Sequence, residues 1–577
     1  MNKMEHFLTH FQTRLQTHWH KPSLTDYYGG ADYTLGQVAT EMRKIEMLMD
    51  LMDVKPGDKV ALCGKNCANW GVAFLSCMAA RRVAVSILPD FTPEAVMYLT
   101  DHSDAKLLFA SDFIWKTLDP QQMPQLQAAI LLENFELAFA ANEGIEQAYA
   151  QWQTAFLQAY PGGFQLSDVH YQLNDLDALA VINYTSGTTS SPKGVMLSYR
   201  SISSNIAAAY EHMRDITDAD TLVSILPMAH MFGLVLEFLY EVTTGLHIYF
   251  LGKTPSPTQL LKAFNDVKPF MIVCVPMVVE KIFRKAILPK LRKPLLRVLW
   301  NTPLVNIPIR KKVKNSFIQA LGGNLRYVMI GGAALNQEVE RTMKQMKLPY
   351  TVGYGMTECG PLIAFEDWPR FAPTSCGKTI SRMEVRIDSS DPLHVPGEIQ
   401  TRGENLMIGY YKNDEATRMT FTADGWLRTG DLGLMDKKGN IFIKGRSKNM
   451  ILGPSGQNIY PEEIEAKINN MPYVLESLVL QQEDTRLVAL ICPDYNEVDA
   501  DGLTAEQLAS PLETLAARPL PGLRLIPYRA VGGSVLLLAL RFPGATVGKK
   551  TQNVLVAFAA EGLGQSKMYQ GLTGGAL

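Results

Sequence analysis

Nowhere does the chain run to the ~18 uncharged apolar residues that a membrane-crossing helix needs. The opening segment, MNKMEHFLTHFQTRLQTHWH, has no uninterrupted apolar core of the kind a secretory signal carries. The seven cysteines form no C-x-x-C pair. That excludes the common zinc spacing and a disulfide framework, and it suits a reducing compartment. The expected location is therefore cytoplasmic. With 55 Lys and Arg against 57 Asp and Glu there is no basic excess, so no nucleic-acid partner is expected. No internal repeat is present, and nothing in the sequence specifies an oligomeric state. One absence is local. Between Glu513 and Glu561 there is no acidic residue, where the chain's own frequency would give about five.

What is present is ordinary globular composition, 47% hydrophobic and 19% charged, in 577 residues. That length exceeds one core, so at least two domains are expected. Strand-like and helix-like runs alternate. KVALCG precedes NWGVAFLSCMAARR, TLVSIL precedes MFGLVLEFLYEVTTG, FMIVCV precedes MVVEKIFRKAI, and LRYVMI precedes LNQEVERTMKQM. Strands that are continuously apolar need cover on both faces. The fold class read here is α/β, a large N-terminal domain of doubly wound, mostly parallel sheets. After Cys376 the texture changes to short strands split by Gly and Asp turns: MEVRID, GEIQTRG, WLRTGDLGLMD and NIFIKGR. They suggest a small β-barrel or antiparallel subdomain over about 376–445. A boundary is expected near Lys444–Lys448, dividing an N-terminal domain, 1–445, from a small mobile α+β C-terminal domain, 446–577. There NIYPEEIEAKINNM reads as a helix with Pro461 in its first turn and Glu462 and Glu463 at its positive end.

The segment AVINYTSGTTSSPKGVMLS is an apolar strand, a small polar turn and a second strand. Its hydroxyls and backbone N–H groups can donate to phosphate oxyanions, and Lys193 adds a full charge at the exit. The order Pro192-Lys193-Gly194 excludes a Walker A motif, which needs Gly-Lys-Ser/Thr there. A surface Ser/Thr/Gly hairpin turn is the bland alternative.

Four further motifs occur in order: PMAHMFG (Pro227–Gly233), IGGAAL (Ile330–Leu335), GYGMTE (Gly353–Glu358), and GWLRTGDLG followed by KGRSKNMI, with Asp431, Arg446 and Lys448. As a set they resemble the adenylate-forming superfamily of acyl-CoA synthetases, firefly luciferase and peptide-synthetase adenylation domains. The resemblance runs from about Tyr33 to about Asp494, and GPSGQNIYPEEIE is most similar to bacterial long-chain fatty acid–CoA ligases. It implies ATP-dependent formation of an acyl-adenylate and pyrophosphate, followed by displacement of AMP by the thiol of coenzyme A. Catalysis of this kind is mainly positioning and charge stabilisation.

The resemblance also implies roles. Thr185, Ser186, Gly187, Thr188, Thr189 and Lys193 would hold the β- and γ-phosphates of ATP. Glu358 would be the ligand of Mg2+, which bridges phosphates and takes only one or two carboxylates. Thr357 would bond the α-phosphate. Tyr354, within Gly353–Gly355, would stack on adenine. Gly331, Gly332 and Ala333 would let backbone approach the base and the acyl chain. Asp431 would accept the ribose hydroxyls, Arg446 would pair with ribose or phosphate, and Lys448 would occupy the hinge of the small domain. His230 would lie beside the carboxylate and the acyl pocket; a buried structural histidine is its alternative.

Acetate-specific relatives carry a tryptophan at the position of Gly355, so this glycine implies an open pocket walled by Met231, Phe232, Gly233 and Leu234, and a long-chain fatty acid substrate. Acyl carrier protein is the rival acceptor, because a basic face suits an acidic carrier. The segment Lys281–Lys314 holds eleven Lys or Arg and no acid, interleaved with Leu, Ile, Val and Trp300. Two readings stand: peripheral contact with an anionic membrane, or a solvated basic helix pair. The tail from about Ala516 is atypical. The family ends in a Pro-x-x-Gly-Lys turn whose lysine serves adenylation, and here the Gly-Lys available is Gly548-Lys549. Codon degeneracy lets Val547–Leu555, read one base later, encode a Lys- and Arg-rich ending and a stop. The tail is therefore expected to pack poorly. A third reading follows, an adenylate-binding protein with impaired adenylation.

Overall fold

A computed structural model of the chain describes residues 4–173, 175–185, 192–213, 215–217, 219–252, 257–288, 291, 293–452, 458–469, 474–481, 487–493, 524–528, 537–541 and 553–558. Two compact units result. One comprises Met1–Arg386, Gln400–Thr429 and Met435–Phe442; the other comprises Ile387–Ile399, Gly430–Leu434 and Ile443–Leu577.

The first unit carries two large sheets. In the eight-stranded sheet, Lys59–Cys63 lies between Val83–Ile87 and Ala105–Ala110, and Leu179–Thr185 follows Val83–Ile87, all parallel. Lys193–Ser198 then returns antiparallel to Leu179–Thr185 as a hairpin, and Gly409–Tyr410 pairs with its outer edge. The seven-stranded sheet runs parallel through Pro22–Asp26, His247–Phe250, Thr221–Ser224, Met271–Cys274, Tyr327–Ile330 and Tyr350–Val352, with Asp32–Thr34 antiparallel at one edge. This is the expected α/β class.

Helix Ala68–Ala79 is buried along its whole length. It packs on Pro22–Asp26 of one sheet and on Lys59–Cys63 and Val83–Ile87 of the other. A helix with sheet on both sides has no solvent face, which is why ANWGVAFLSCMA is apolar all round instead of amphipathic. Phe74 lies parallel to Trp70 with ring centroids 5.4 Å apart and meets Phe238 edge-on at 6.3 Å.

The strands Met383–Asp388, Gly397–Gly403, Leu427–Met435 and Ile441–Arg446 form an open sheet in that order, with no barrel closure among the described residues. Four short strands are too few to curl round and satisfy both edges. In the second unit, Pro461–Ile468 is helical with proline first and both acids in its first turn. A five-stranded sheet there has the order Val474–Gln481, Leu487–Pro493, Asn553–Phe558, Leu537–Arg541, Arg524–Tyr528. The acid-free run thus contributes three paired strands; the rest of the tail expected to pack poorly lies outside the described residues. A continuously apolar run such as LLALR carries no helical period, but it can pair inside a sheet.

MFGLVLEFLYEVTTG is helical, but its middle, Leu234–Leu239, widens into a π turn between Met231–Gly233 and Tyr240–Thr244. Glu237 lies in that turn, fully buried. Its Oε2 accepts from Ser224 Oγ (3.1 Å) and from the backbone N–H groups of Ile225 (3.0 Å) and Leu226 (2.8 Å). Glu241, also fully buried, has no hydrogen-bond partner on either carboxylate oxygen. Burial pushes both carboxyls well above the ordinary range, and the proximity of Glu237 adds to the rise at Glu241. A group raised in the folded state contributes stability that is fully present below its unfolded value, 4.5 here, and lost as pH climbs through the folded value. Glu241→Gln should therefore lose less thermal stability than wild type as pH rises above about 5. Parallel melting-temperature profiles for the two proteins would contradict this account.

Candidate functional site

In the seven-stranded sheet the expected site segments leave from the carboxyl ends of the strands, where ligands bind in open α/β sheets. Ile330 pairs with Val352, so Gly331 and Gly353 leave the sheet side by side. The Gly353 N–H donates to the Ile330 carbonyl at 2.9 Å, and the Gly331 N–H to that of Cys274 at 3.1 Å. Gly331 lets the Phe232 ring lie close, because a Cβ there would come within 2.8 Å of the tip of that ring. Gly332 is needed for conformation, with φ +85°. Ala333 follows it, exposed. The segment bearing His230 and Phe232 is thus brought onto the Gly331–Ala333 turn.

That segment is held by polar side chains, Asn66 half-buried and Asn183 buried. Asn66 donates Nδ2 to the Leu226 carbonyl (2.6 Å) and accepts at Oδ1 from the Met228 N–H (2.8 Å). Asn183 donates Nδ2 to the Ala229 carbonyl at 2.7 Å. Asn183 belongs to Leu179–Thr185 of the other sheet, so it ties the strand ending at Thr185 to the turn bearing His230. His230 is open to solvent on one side while protein surrounds the rest of its ring, and desolvation lowers its pKa. Its Nδ1 accepts from the Phe232 N–H at 3.3 Å. The neutral ring then carries its proton on Nε2.

Thr185 and Lys193 face each other across the hairpin as a Cα pair. Ser186, Gly187, Thr188 and Thr189 lie outside the described residues. The Lys193 ammonium stands 4.8 Å from the centre of the Tyr410 ring, at cation–π distance. Tyr410 Oη in turn donates to Glu358 Oε1 at 2.8 Å. Burial, then the adjacent Glu358 carboxylate, push the Tyr410 hydroxyl above its ordinary pKa, so it remains a donor. One tyrosine thus lies between the cation and the acid. Thr357 begins the short 3-10 turn Thr357–Cys359, and buried Asn205 clamps that turn. Asn205 Nδ2 donates to the Cys359 carbonyl (3.1 Å), and its Oδ1 accepts from the Leu362 N–H (2.8 Å).

Tyr354 is buried and pairs with Ala364 across a short antiparallel ribbon. Gly355 requires a correction. A Cβ there would lie 2.1 Å from the Pro361 carbonyl oxygen. The glycine is imposed by the close approach of two backbone segments at an irregular register. Open pocket volume does not follow from it.

In the second unit Asp431 is buried, and its Oδ1 takes the Arg446 Nε at 3.0 Å. The Ser447 N–H donates to the Gly430 carbonyl at 2.8 Å, and the Arg446 N–H to Glu462 Oε1 at 3.4 Å. Lys448 lies exposed in the turn after Arg446. Lys549 is outside the described residues.

Sequence reading missed Asn66, Asn183, Asn205, Glu237 and Tyr410. The signal for Asn205 was present in SISSNIAAAY, a polar run on a helix buried throughout its middle. Tyr410 carries no comparable signal. Among the described residues, three-ligand clustering of His, Cys, Asp and Glu occurs at His212, Glu366 and Asp367, away from Glu358. Lys378 and Arg370 already pair with the two acids there.

The model of the AMP-binding enzyme family matches residues 11–411. The chain is 26% identical over 491 residues to the long-chain-fatty-acid–CoA ligase FadD15 of Mycobacterium bovis (strain ATCC BAA-935 / AF2122/97), covering 80% of this chain and 77% of that one. It is also 26% identical over 486 residues to 4-coumarate–CoA ligase 2 of Oryza sativa subsp. japonica, covering 80% and 78%. The solved structure of the anthranilate CoA ligase AuaEII in complex with anthranoyl-AMP has the same fold, with a TM-score of 0.72 at 18% identity over 90% of this chain and 92% of that one. The family match spans most of the chain, across both large sheets and the turns at their carboxyl ends: this protein belongs to the AMP-binding enzyme family.

Proposed function

We propose that the protein activates a carboxylic acid with ATP and transfers the acyl group to coenzyme A, and that the acid is a long-chain fatty acid. The observation that carries the ligase reading is the line Lys193–Tyr410–Glu358, beside a hairpin whose connecting residues are all Ser, Gly, Thr or Pro. A cation and a carboxylate held apart by one ring suit a triphosphate: the ammonium takes the phosphate charge, and the carboxylate faces a hard cation. Glu358 fits magnesium, because Tyr410 occupies only Oε1 and a phosphate-bridging ion needs only one or two carboxylates. Magnesium would neutralise phosphate charge there. His230, neutral and held at a fixed position, would orient the acid. Asp431 would accept ribose hydroxyls, Arg446 would pair with ribose or phosphate, and Tyr354 with Gly331–Ala333 would bound the adenine. Lys448 would serve as the hinge residue. The long-chain reading rests on the named ligases among the relatives. The 4-coumarate ligase is an equally similar relative, so chain length is decided by assay.

Purified protein with ATP, magnesium and a fatty acid of roughly 12–18 carbons should release pyrophosphate and, with coenzyme A, form a thioester; acetate should be poor, since each buried CH2 contributes about 0.8 kcal/mol. Turnover of acetate matching the long acid would reject the long-chain reading and leave the ligase reading intact.

Glu358→Ala should slow pyrophosphate release on the order of 100-fold or more and blunt its magnesium dependence. Tyr410→Phe, which removes one hydrogen bond to the carboxylate, should cost about tenfold. Near wild-type rates for Glu358→Ala at low magnesium would remove Glu358 from the metal site.

The acid-free tail favours a second reading, in which the first half-reaction is impaired. Lys549→Ala then leaves pyrophosphate release unchanged, while supplied acyl-adenylate still reacts with coenzyme A. Abolished release in that variant would make Lys549 the adenylation lysine and end this reading.

A further inference from the structure

Helices Pro294–Asn301 and Asn306–Ala320 are fixed to the first unit along one side. Trp300 is buried, and its indole N–H donates to Gln345 Oε1 at 2.6 Å. Arg310 lies over the Trp300 ring at 5.3 Å and donates to the Trp300 carbonyl at 3.0 Å. Phe317 packs on Phe283 with centroids 4.9 Å apart, and Lys314 Nζ donates to the Lys347 carbonyl at 2.7 Å.

The opposite side is open and apolar. Leu295 is 72% exposed, Val298 64%, Leu304 81% and Ile307 62%. Leu295 and Val298 share one face of the first helix at i, i+3 spacing. Leu304 lies in the connection, and Ile307 is one turn before Lys311 on the second helix. Single exposed apolar residues need no explanation, but four within thirteen positions, on helices anchored from behind, form a patch. Lys293, Arg297, Lys311 and Lys312 are exposed around it, and the segment 281–314 holds no acid. Among the described residues, no helix is long and apolar enough to cross a membrane.

We infer that this face docks on an anionic lipid bilayer, with Leu295, Val298, Leu304 and Ile307 entering the interface and Lys311 and Lys312 meeting lipid phosphates. Within 293–312 the charge is of one sign and flanks the apolar positions, the complement of an anionic headgroup layer over hydrocarbon. An acidic protein partner would supply the charge complement but no place for four protruding aliphatic side chains. The inference extends the ligase reading by giving its apolar acid a source. It does not depend on that reading, because vesicle binding is measured without turnover.

The test is co-sedimentation of the full-length protein with vesicles of phosphatidylcholine containing phosphatidylglycerol, and with vesicles of phosphatidylcholine alone. Wild type should sediment with the anionic vesicles, and added salt should release it. Lys311→Glu with Lys312→Glu should weaken that binding by at least roughly 30-fold, and Leu304→Ser with Ile307→Ser should also weaken it. All four side chains are exposed, so circular dichroism should be unchanged. Equal binding to neutral vesicles, or no weakening in either variant, overturns the proposal. Loss in the lysine variant alone would mean charge attraction without entry of the four aliphatic side chains, and equally overturns it. So does a wild-type dimer in light scattering that Leu304→Ser with Ile307→Ser dissolves.

Discussion

The amide of Asn183 is buried where the two large sheets meet, and its pairing with the Ala229 carbonyl sets the positions of the site segments. A buried amide left unpaired costs about 1–3 kcal/mol, so the strand ending at Thr185 and the turn holding His230 cannot drift apart cheaply. Asn66 and Glu237 repeat this on the same segment, pairing backbone groups of residues 225, 226 and 228 that no sheet ladder satisfies. The irregular backbone next to His230 can therefore be well defined without regular secondary structure.

The charged residues of the site are arranged differently. Lys193 and Glu358 do not form an ion pair in the structure; Tyr410 stands between them. A direct pair would neutralise both groups. The ring offers the ammonium a weaker, face-on contact, and its hydroxyl fixes one carboxylate oxygen. In the second unit Asp431 and Arg446 do pair directly at 3.0 Å.

Buried acids mark another contrast. Glu237 is compensated by three donors on one oxygen, whereas Glu241 has none. Glu237 lies in the π turn and Glu241 in the α-helical Tyr240–Thr244 that follows, and every residue of the two segments is buried, so neither carboxyl reaches solvent.

By itself the sequence determined the alternation of apolar strands and helices, and with it the α/β class. The ordered motifs around Lys193, His230, Gly331, Tyr354, Glu358, Asp431 and Arg446 carried the resemblance to the family. These are local signals, carried by periodicity and by short runs of unusual residues. Tertiary structure alone decided the rest. Asn205 bonds a residue 157 positions away, and Tyr410 bonds one 52 positions away. Nothing in the local pattern names such partners, because proximity is created only when strands assemble into a sheet. The same reason explains Gly355: its neighbourhood suggested an open pocket, but the folded chain brings the Pro361 carbonyl against it. It also explains the basic segment, where the sequence left a solvated face and an interacting face equally open. Burial of Trp300 and exposure of Leu304 distinguish the inner side from the outer, because which side of a helix meets the core is set by what it packs against.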